Sequence, residues 1–127
     1  MAAACGMIRA AAAERQTIAV YGDYDADGVC ASAILIEAIR ALGAEVFSYI
    51  PDRQGEGYGL NLDAVREISE KAGLLISVDC GVTAAQEACL AKSLGLPLII
   101  TDHHALQGDL PAADALVHPA LGEYPFP

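Results

Sequence analysis

Basic residues are scarce in this chain, with 7 lysines and arginines against 17 aspartates and glutamates, giving a formal net charge of −10. They are scattered, and the sequence shows no positive stripe of the kind that binds a phosphate backbone. This balance argues against nucleic acid as a partner of the chain alone. Part of the acidic excess is expected to consist of metal ligands. If two-metal chemistry applies, two divalent ions would cancel about four of the negative charges. Most of any groove for a polyanion would then come from outside this chain.

The cysteines lack the spacing of a metal or redox motif, with no C-x-x-C pair and no zinc-finger pattern. We interpret all four as small buried hydrophobic residues, and nothing indicates a disulfide framework, which favours a reducing, cytoplasmic compartment. The first nine residues lack the basic start of a signal peptide, and no apolar run approaches membrane-spanning length. The four cysteines are Cys5, Cys30, Cys80 and Cys89.

Apolar segments typical of buried strands alternate with segments of helical periodicity. The predicted strands cover residues 17–21, 45–50, 74–78, 98–100 and 115–117, and the predicted helices cover 1–14, 29–42, 62–71 and 83–94. Strands that are apolar throughout and alternate with helices indicate a parallel sheet covered on both faces. We therefore predict an α/β fold, a Rossmann-like three-layer sandwich with a mostly parallel sheet, and the 127 residues amount to one domain's worth of chain.

Acidic and imidazole side chains follow three of the predicted strands. Because ligand sites in open α/β sheets lie beyond the carboxyl ends of the strands, the three clusters should converge. Crowded carboxylates repel one another unless a cation holds them. The sequence therefore predicts a metal site, with Asp25, Asp79 and His103 in one coordination sphere. The clusters are Asp23, Asp25 and Asp27 after the first strand, Asp79 after the third, and Asp102, His103 and His104 after the fourth.

Three other interpretations compete for these residues. Counting from Asp23, a calcium-binding EF-hand loop needs a glutamate at its twelfth position, where this chain has Ile34. The segment Asp25–Val29 resembles the nucleophile motif of aspartyl-phosphate phosphatases, but that leaves residues 102–104 without a role. A solvated acidic turn with surface histidines explains one motif better than three. His118 is interpreted as a loop residue and not as a ligand.

Together, these motifs resemble the DHH phosphoesterase family, and within it the RecJ-type exonucleases specific for single-stranded DNA. Both the order and the spacing fit, over essentially the whole chain. The matching pieces are Gly22–Gly28, Gly57–Asn61, Val78–Gly81, Thr101–His104, Leu110–Pro111, Val117–Pro119 and Tyr124–Pro127.

The resemblance implies a site for two ions, Mn²⁺ or Mg²⁺. Asp25 and Asp27 match ligands of the first motif, one for each ion. Asp79 matches the carboxylate that bridges the ions, and His103 matches a metal-ligand histidine. Many members of the family have a histidine four residues before the first ligand aspartate, where this chain has Tyr21. One ion is therefore expected to be held more weakly.

The remaining site residues are assigned to the substrate and to orientation. His104 matches a catalytic histidine that meets the substrate phosphate, and Asp102 matches a residue that orients its neighbours. Asp23 is assigned a supporting or water-binding role in catalysis. We also predict that Tyr58 and Arg53 lie beside the cluster, where the tyrosine can stack on a base and the arginine can meet a phosphate.

The resemblance further implies that residues 1–127 are part of a DHH catalytic domain. A later aspartate ligand and a carboxy-terminal substrate-binding domain are expected to be absent from them. The parent would digest single-stranded DNA from 5′ ends and work with DNA-repair and recombination proteins. Alternatives are a phosphoesterase acting on small nucleotides, disfavoured by the Gly57–Asn61 loop, and a non-catalytic metal-binding remnant. The isolated chain is expected to bind Mn²⁺ weakly and to show little exonuclease activity.

Overall fold

The computed structural model describes residues 1–52 and 57–122. Helices and strands alternate as the sequence predicts, with small differences at their ends. In chain order the elements are α1 (Ala2–Ala13), β1 (Ile18–Gly22), α2 (Ala26–Ala41), β2 (Val46–Tyr49), α3 (Leu62–Ser69), β3 (Leu74–Val78), α4 (Ala85–Ser93), β4 (Leu98–Thr101) and β5 (Ala115–Val117).

The five strands form one sheet in the order β2-β1-β3-β4-β5, and every neighbouring pair is parallel. The predicted α/β class and parallel sheet are confirmed. From β1 the chain moves outward to β2 and then crosses back to β3 on the other side. The carboxyl ends of β1 and β3 therefore flank the point where the strand order reverses, which is where open α/β sheets bind ligands.

Two apolar clusters cover the two faces of the sheet, as alternation along each strand requires. Ala19 and Tyr21 of β1 pack in the cluster that contains the buried faces of α3 and α4. Ile18 and Val20 pack in the opposite cluster, which contains buried residues of α1 and α2. All four side chains are fully buried. Burying an isoleucine or valine side chain contributes about 1.5 to 3 kcal/mol, so the central strand is a firm base for the site.

The connection from β1 to α2 is tighter than the sequence pattern indicates. The pattern predicts a helix from residue 29, but α2 begins at Ala26, because an Asp25 carboxylate oxygen accepts a hydrogen bond of 2.9 Å from the Gly28 amide and caps it. A Cβ atom on Gly28 would lie 2.6 Å from the main-chain oxygen of Asp23. Only glycine allows helix and strand to approach so closely. Asn61 caps α3 as predicted, accepting 2.8 Å from the Ala64 amide.

The prediction that all four cysteines are buried is wrong for three of them. Cys80 is fully buried, whereas Cys5, Cys30 and Cys89 are exposed, and all four are free thiols. The exposed three lie on α1, α2 and α4, and a helix that packs on a sheet leaves its other face in solvent. Within residues 1–52 and 57–122, no helix is both long and apolar enough to cross a membrane.

Candidate metal centre

The ends of β3 and β4 bring three potential metal ligands together. Asp79 follows β3, and His103 and His104 follow β4. One ligand atom from each of the three residues lies within 4.8 Å of the other two. The closest pair is Asp79 Oδ1 and His103 Nε2, at 2.9 Å. Two ligands at right angles on an octahedral ion with bonds of about 2.1 Å lie about 3 Å apart, so this pair fits one ion. Carboxylate and imidazole together suit Mn²⁺.

Asp79 occupies a strained position at the end of its strand. Its φ angle is 61°, in the left-handed region that few residues other than glycine, asparagine and aspartate adopt. The Asp79 amide donates 2.9 Å to the Thr101 carbonyl, which holds the turn against β4. Gly81 follows with φ 110°, and a Cβ there would lie 2.8 Å from Ser77 Oγ. The turn is therefore shaped to direct the Asp79 carboxylate towards the histidines.

The surroundings of Asp79 disfavour its negative charge. Burial raises the pKa of this carboxyl, and the nearby charge of Asp25 raises it further, while His103 and His104 offset part of the effect. Its side chain is 7% exposed. A largely buried carboxylate beside another carboxylate is stabilised when a cation binds between them. The electrostatics of this position thus favour a metal ion.

Asp102 organises the histidine segment through hydrogen bonds to the main chain. Its Oδ1 accepts from the amides of His103 (2.7 Å) and His104 (3.1 Å), and its Oδ2 accepts from the Val82 amide (2.9 Å). The same Oδ1 lies 2.7 Å from His104 Nδ1. Burial raises the pKa of Asp102, but these hydrogen bonds outweigh it and hold the pKa below its usual value. Asp102 is therefore a charged acceptor that orients both histidines.

His104 has one nitrogen occupied and one available. Its contact with Asp102 raises the pKa of the imidazole, with a smaller opposing effect of burial. Because the charged Asp102 faces Nδ1, that nitrogen carries a proton and Nε2 is left for other partners. Nε2 lies 3.3 Å from the hydroxyl of Tyr58. The residue predicted to meet the substrate phosphate is thus held in place, and it also belongs to the trio of potential metal ligands.

The aspartates after β1 are arranged differently from one another. Asp23 is buried, and its Oδ1 accepts 2.7 Å from the Tyr24 amide, so it supports the turn. Asp25 is exposed and uses one oxygen to cap α2. Asp27, in the first turn of α2, lines a cavity of about 690 Å³ together with Asp79 and His103. Asp25 and Asp27 face the same region but lie outside the trio defined above.

Tyr21 occupies the position where the sequence resemblance suggests a histidine. Its ring is fully buried and stacked on Tyr49, with centroids 5.3 Å apart. Its hydroxyl donates 2.7 Å to the Gly59 carbonyl and accepts 3.3 Å from Asn61 Nδ2. These contacts direct the phenol to the loop at residues 57–61 and not to the trio.

Tyr58 lies in that loop, beside the site. Its exposed ring is edge-on to Tyr24 and His104, with centroids 6.4 and 6.1 Å away. Burial and the charges of Asp23 and Asp102 raise the pKa of Tyr58 to about 12, so its hydroxyl is protonated at neutral pH. Arg53, the other predicted substrate contact, lies outside the described residues, as does the motif at 124–127.

His118 contributes a contact that sequence reasoning missed. It is buried; its Nδ1 accepts 3.1 Å from the Ala120 amide, so its Nε2 carries the proton and donates 2.7 Å to the His104 carbonyl. His118 therefore holds the histidine segment through its main chain, and it is not one of the three residues of the trio. Its place directly after β5, at the same sheet edge as the other clusters, was the available signal.

Comparison with known proteins points to one family. Residues 17–124 match the DHH family, N-terminal domain. The chain is 46% identical to the single-stranded-DNA-specific exonuclease RecJ of Bacillus subtilis (strain 168), over 99% of the chain and 16% of that protein. The chain thus spans less than a fifth of this curated relative.

Two solved structures share the fold at substantial identity. One is a crystal structure of exonuclease RecJ bound to manganese, with a TM-score of 0.80 and 41% identity over 90% of this chain and 31% of that one. The other is RecJ from Thermus thermophilus in complex with Mn²⁺, with a TM-score of 0.80 and 36% identity over 93% of this chain and 16% of that one.

Proposed function

The chain belongs to the DHH family, and from that membership we propose that it is part of the catalytic domain of a RecJ-like exonuclease. Its parent would hydrolyse phosphodiester bonds of single-stranded DNA, releasing mononucleotides from 5′ ends with the help of two divalent ions. One observation carries the proposal: Asp79 and His103, from neighbouring strands, meet at 2.9 Å beside His104, in a geometry suited to a metal ion.

We propose Asp79, His103, Asp25 and Asp27 as the metal ligands. Asp79 would bridge two ions, with Asp25 serving one and Asp27 the other. The free oxygen of Asp25 suits this role, because its partner oxygen already accepts from the Gly28 amide and fixes the direction of the carboxylate. Mn²⁺ or Mg²⁺ bound there would activate a water and stabilise charge on the attacking and leaving oxygens.

His104 would serve the substrate phosphate. The charged Asp102 keeps a proton on Nδ1 of His104 and raises the pKa of the ring, which favours a second proton on Nε2. A doubly protonated imidazole donates a charge-assisted hydrogen bond to a phosphate oxygen. Tyr58, 59% exposed and 3.3 Å from that nitrogen, offers a ring on which a base can stack. Asp23 is proposed to have a supporting or water-binding role, and Arg53 is proposed as a further phosphate contact.

The substrate would reach the site with help from parts of the parent that residues 1–127 do not supply. The relatives named above are several times longer, and a later aspartate ligand and a substrate-binding domain are proposed to lie in the remainder. A charge of −10 repels a polyanion at long range, so the clamp must come from there. We propose a cytoplasmic role in DNA repair and recombination.

The test is digestion of DNA by the full-length parent and by residues 1–127. Single strands labelled at either end, duplexes and dinucleotides are supplied with Mn²⁺. We expect the parent to release mononucleotides from the 5′ end of single strands, an Asp79→Asn variant to be inactive, and the 127-residue chain to be nearly inactive.

Two results would contradict the proposal. If the parent cleaved dinucleotides but spared long single strands, the function would be that of a small-nucleotide phosphoesterase. If the 127-residue chain digested single strands processively and Asp79→Asn abolished this, the further ligand and domain would be dispensable.

A further inference from the structure

We propose that Tyr21 is a positioning residue whose hydroxyl fixes the loop at residues 57–61 and thereby holds Tyr58 against His104. It would set the affinity for the DNA strand while leaving the affinity for metal unchanged. The inference rests on the proposed function for its consequence, but its structural part can be tested without any substrate.

The Tyr21 hydroxyl joins the central strand to this loop. It donates 2.7 Å to the Gly59 carbonyl, in surroundings from which water is excluded, since Tyr21 is 0% and Leu60 7% exposed. It also accepts 3.3 Å from Asn61 Nδ2, and the other end of that amide caps α3. One phenol oxygen is therefore shared by β1, the loop and the start of the following helix.

The loop needs such an anchor because its own backbone is permissive. Gly57 and Gly59 flank Tyr58, and both have φ 80°. Glycine adopts positive φ angles about as readily as negative ones, so the backbone on either side of Tyr58 can change conformation at little cost. Leu60 also holds the loop through burial in the core, but apolar burial is not directional. The hydrogen bond to Gly59, one residue from Tyr58, supplies the direction.

The hydrogen bond from Tyr21 to Gly59 would fix the position of Tyr58. Its hydroxyl lies 3.3 Å from His104 Nε2, and its ring meets Tyr24 edge-on at 6.4 Å. The loop thus reaches the site through Tyr58, whereas the Asp79–His103 pair depends on β3 and β4. Removing the Tyr21 hydroxyl should release Tyr58 without disturbing that pair.

The first experiment is nuclear magnetic resonance of the 127-residue chain, metal-free and with Mg²⁺. Tyr21→Phe removes a single oxygen and keeps the stacked ring. We expect cross-peaks between the Tyr58 and His104 rings to disappear, while those between residue 21 and Tyr49 remain. Thr17→Val is the matched control, because it removes a hydroxyl from the residue just before the same strand, where Thr17 Oγ1 donates 3.4 Å to a Glu45 carboxylate oxygen. The control should keep both sets of cross-peaks.

The second experiment uses the full-length parent with single-stranded DNA and Mn²⁺. Tyr21→Phe should raise KM roughly fivefold, the lower end of what loss of one base–aromatic stack produces. The value of kcat and the Mn²⁺ dependence should stay as in the unmodified protein, and Tyr58→Ala should show the same split.

Three results would overturn the proposal. Cross-peaks between Tyr58 and His104 that persist in Tyr21→Phe would show that the hydroxyl does not place the loop. Loss of the contacts to Tyr49 as well would show a general structural role, and so would weaker Mn²⁺ binding. If the parent lacked nuclease activity altogether, the proposed function would fail, while the cross-peaks would still decide the role of Tyr21.

Discussion

The two sides of the metal centre differ in how firmly they are built. On the β3–β4 side, Asp102 and Asp79 are largely buried, and main-chain hydrogen bonds hold the histidine segment. On the β1 side, Asp25 and Asp27 are exposed, and the main chain holds an Asp25 oxygen through the Gly28 amide. One half of the site is thus formed by the fold itself, and the other half is left free to adjust.

This difference indicates a division of labour. In the proposed site, the rigid half would fix where the first ion binds, because its side chains need not be reorganised. The open half would then be free to accept the second proposed ion and to make room for a substrate phosphate. Ionised Asp79 is disfavoured by burial and by Asp25 until a cation binds, so the rigid half is also the one under electrostatic stress. Substitutions in the rigid half should therefore have the largest effects on metal binding, beginning with Asp79.

Asp79→Asn should weaken Mn²⁺ binding by about 100-fold or more, because it removes the proposed bridging ligand; outer partners alone already account for about 10–100-fold. The measurement is Mn²⁺ titration by calorimetry or by the paramagnetic resonance of free Mn²⁺. Asp63→Asn, on the exposed surface of α3, is the control. Unchanged binding in Asp79→Asn would remove the rigid half from the metal site.

The same variant should leave the metal-free fold at least as stable near pH 7. The pKa of Asp79 is raised in the folded state. Its carboxyl therefore contributes favourably to the free energy of unfolding below about pH 3.9, and this contribution is lost as the pH rises through the folded-state pKa. Asparagine removes that loss and tolerates φ 61°, whereas Asp79→Ala introduces a strain of about 1 kcal/mol. Thermal unfolding of the two variants separates charge from backbone; a less stable Asn variant would contradict this account.

Asp102→Asn should weaken Mn²⁺ binding or activity by about 10–100-fold, through misplacement of His103 and His104. The asparagine side chain keeps one oxygen that can accept from the His103 and His104 amides, but it loses the negative charge that orients the His104 ring. Asp114→Asn is a suitable comparison, since Asp114 also accepts from a main-chain amide, that of Leu98, at 2.9 Å. Equal effects of the two substitutions would reduce Asp102 to an ordinary structural residue.

A smaller effect should appear in the pH dependence of metal-free stability. The pKa of His104 is raised, so its contribution is complete below about pH 6.5 and is lost as the pH rises through the folded value. As the pH rises above about 6.5 the chain should therefore lose stability, and Asp102→Asn should flatten that part of the profile. Denaturant unfolding at several pH values measures it. A profile that keeps its slope in Asp102→Asn would place the titration elsewhere.

His118→Leu should have the smallest effect on metal binding, because the hydrogen bond from His118 to the rigid half goes to a main-chain carbonyl, that of His104. It removes the hydrogen bonds to that carbonyl and to the Ala120 amide, at a cost of about 0.5 to 1.5 kcal/mol each in unfolding free energy. His118→Gln, which can still donate, should recover part of the loss. A change in Mn²⁺ affinity larger than that of Asp102→Asn would reverse the ranking of the two residues.

The strand ends were the predictable part of this molecule. Apolar runs bounded by polar clusters indicated the strands, and parallel topology then placed Asp79 and His103 at one edge, where the structure has them 2.9 Å apart. The early start of α2 was missed because a capping aspartate and a ligand aspartate look the same in sequence. The left-handed backbone of Asp79 was missed for a similar reason, since it depends on packing between β3 and β4.

Other features depend on contacts between distant residues. His118 lies 14 positions from the carbonyl that it holds, and Tyr21 lies 38 positions from Gly59. No local sequence pattern predicts contacts between residues so far apart in the chain. The exposure of three cysteines follows from which helix face meets the sheet, and alanine-rich helices give a weak signal for that. That Asp25 and Asp27 lie outside the trio also had no counterpart in the spacing of the motifs.

The strand order determines when the candidate metal centre can form during synthesis of the chain. Among the described strands, β3 lies beside β1 and β4 lies between β3 and β5, so the residues proposed as ligands join through contacts that are remote in sequence. A ribosome must release the chain well past His104 before the pocket exists, and a nascent chain stopped in α4 has no imidazole to offer. In the proposed site, ion binding would therefore be a late event in folding. Since an ion that binds only the finished fold stabilises it by mass action, manganese supply should influence how much of the newly made protein survives quality control.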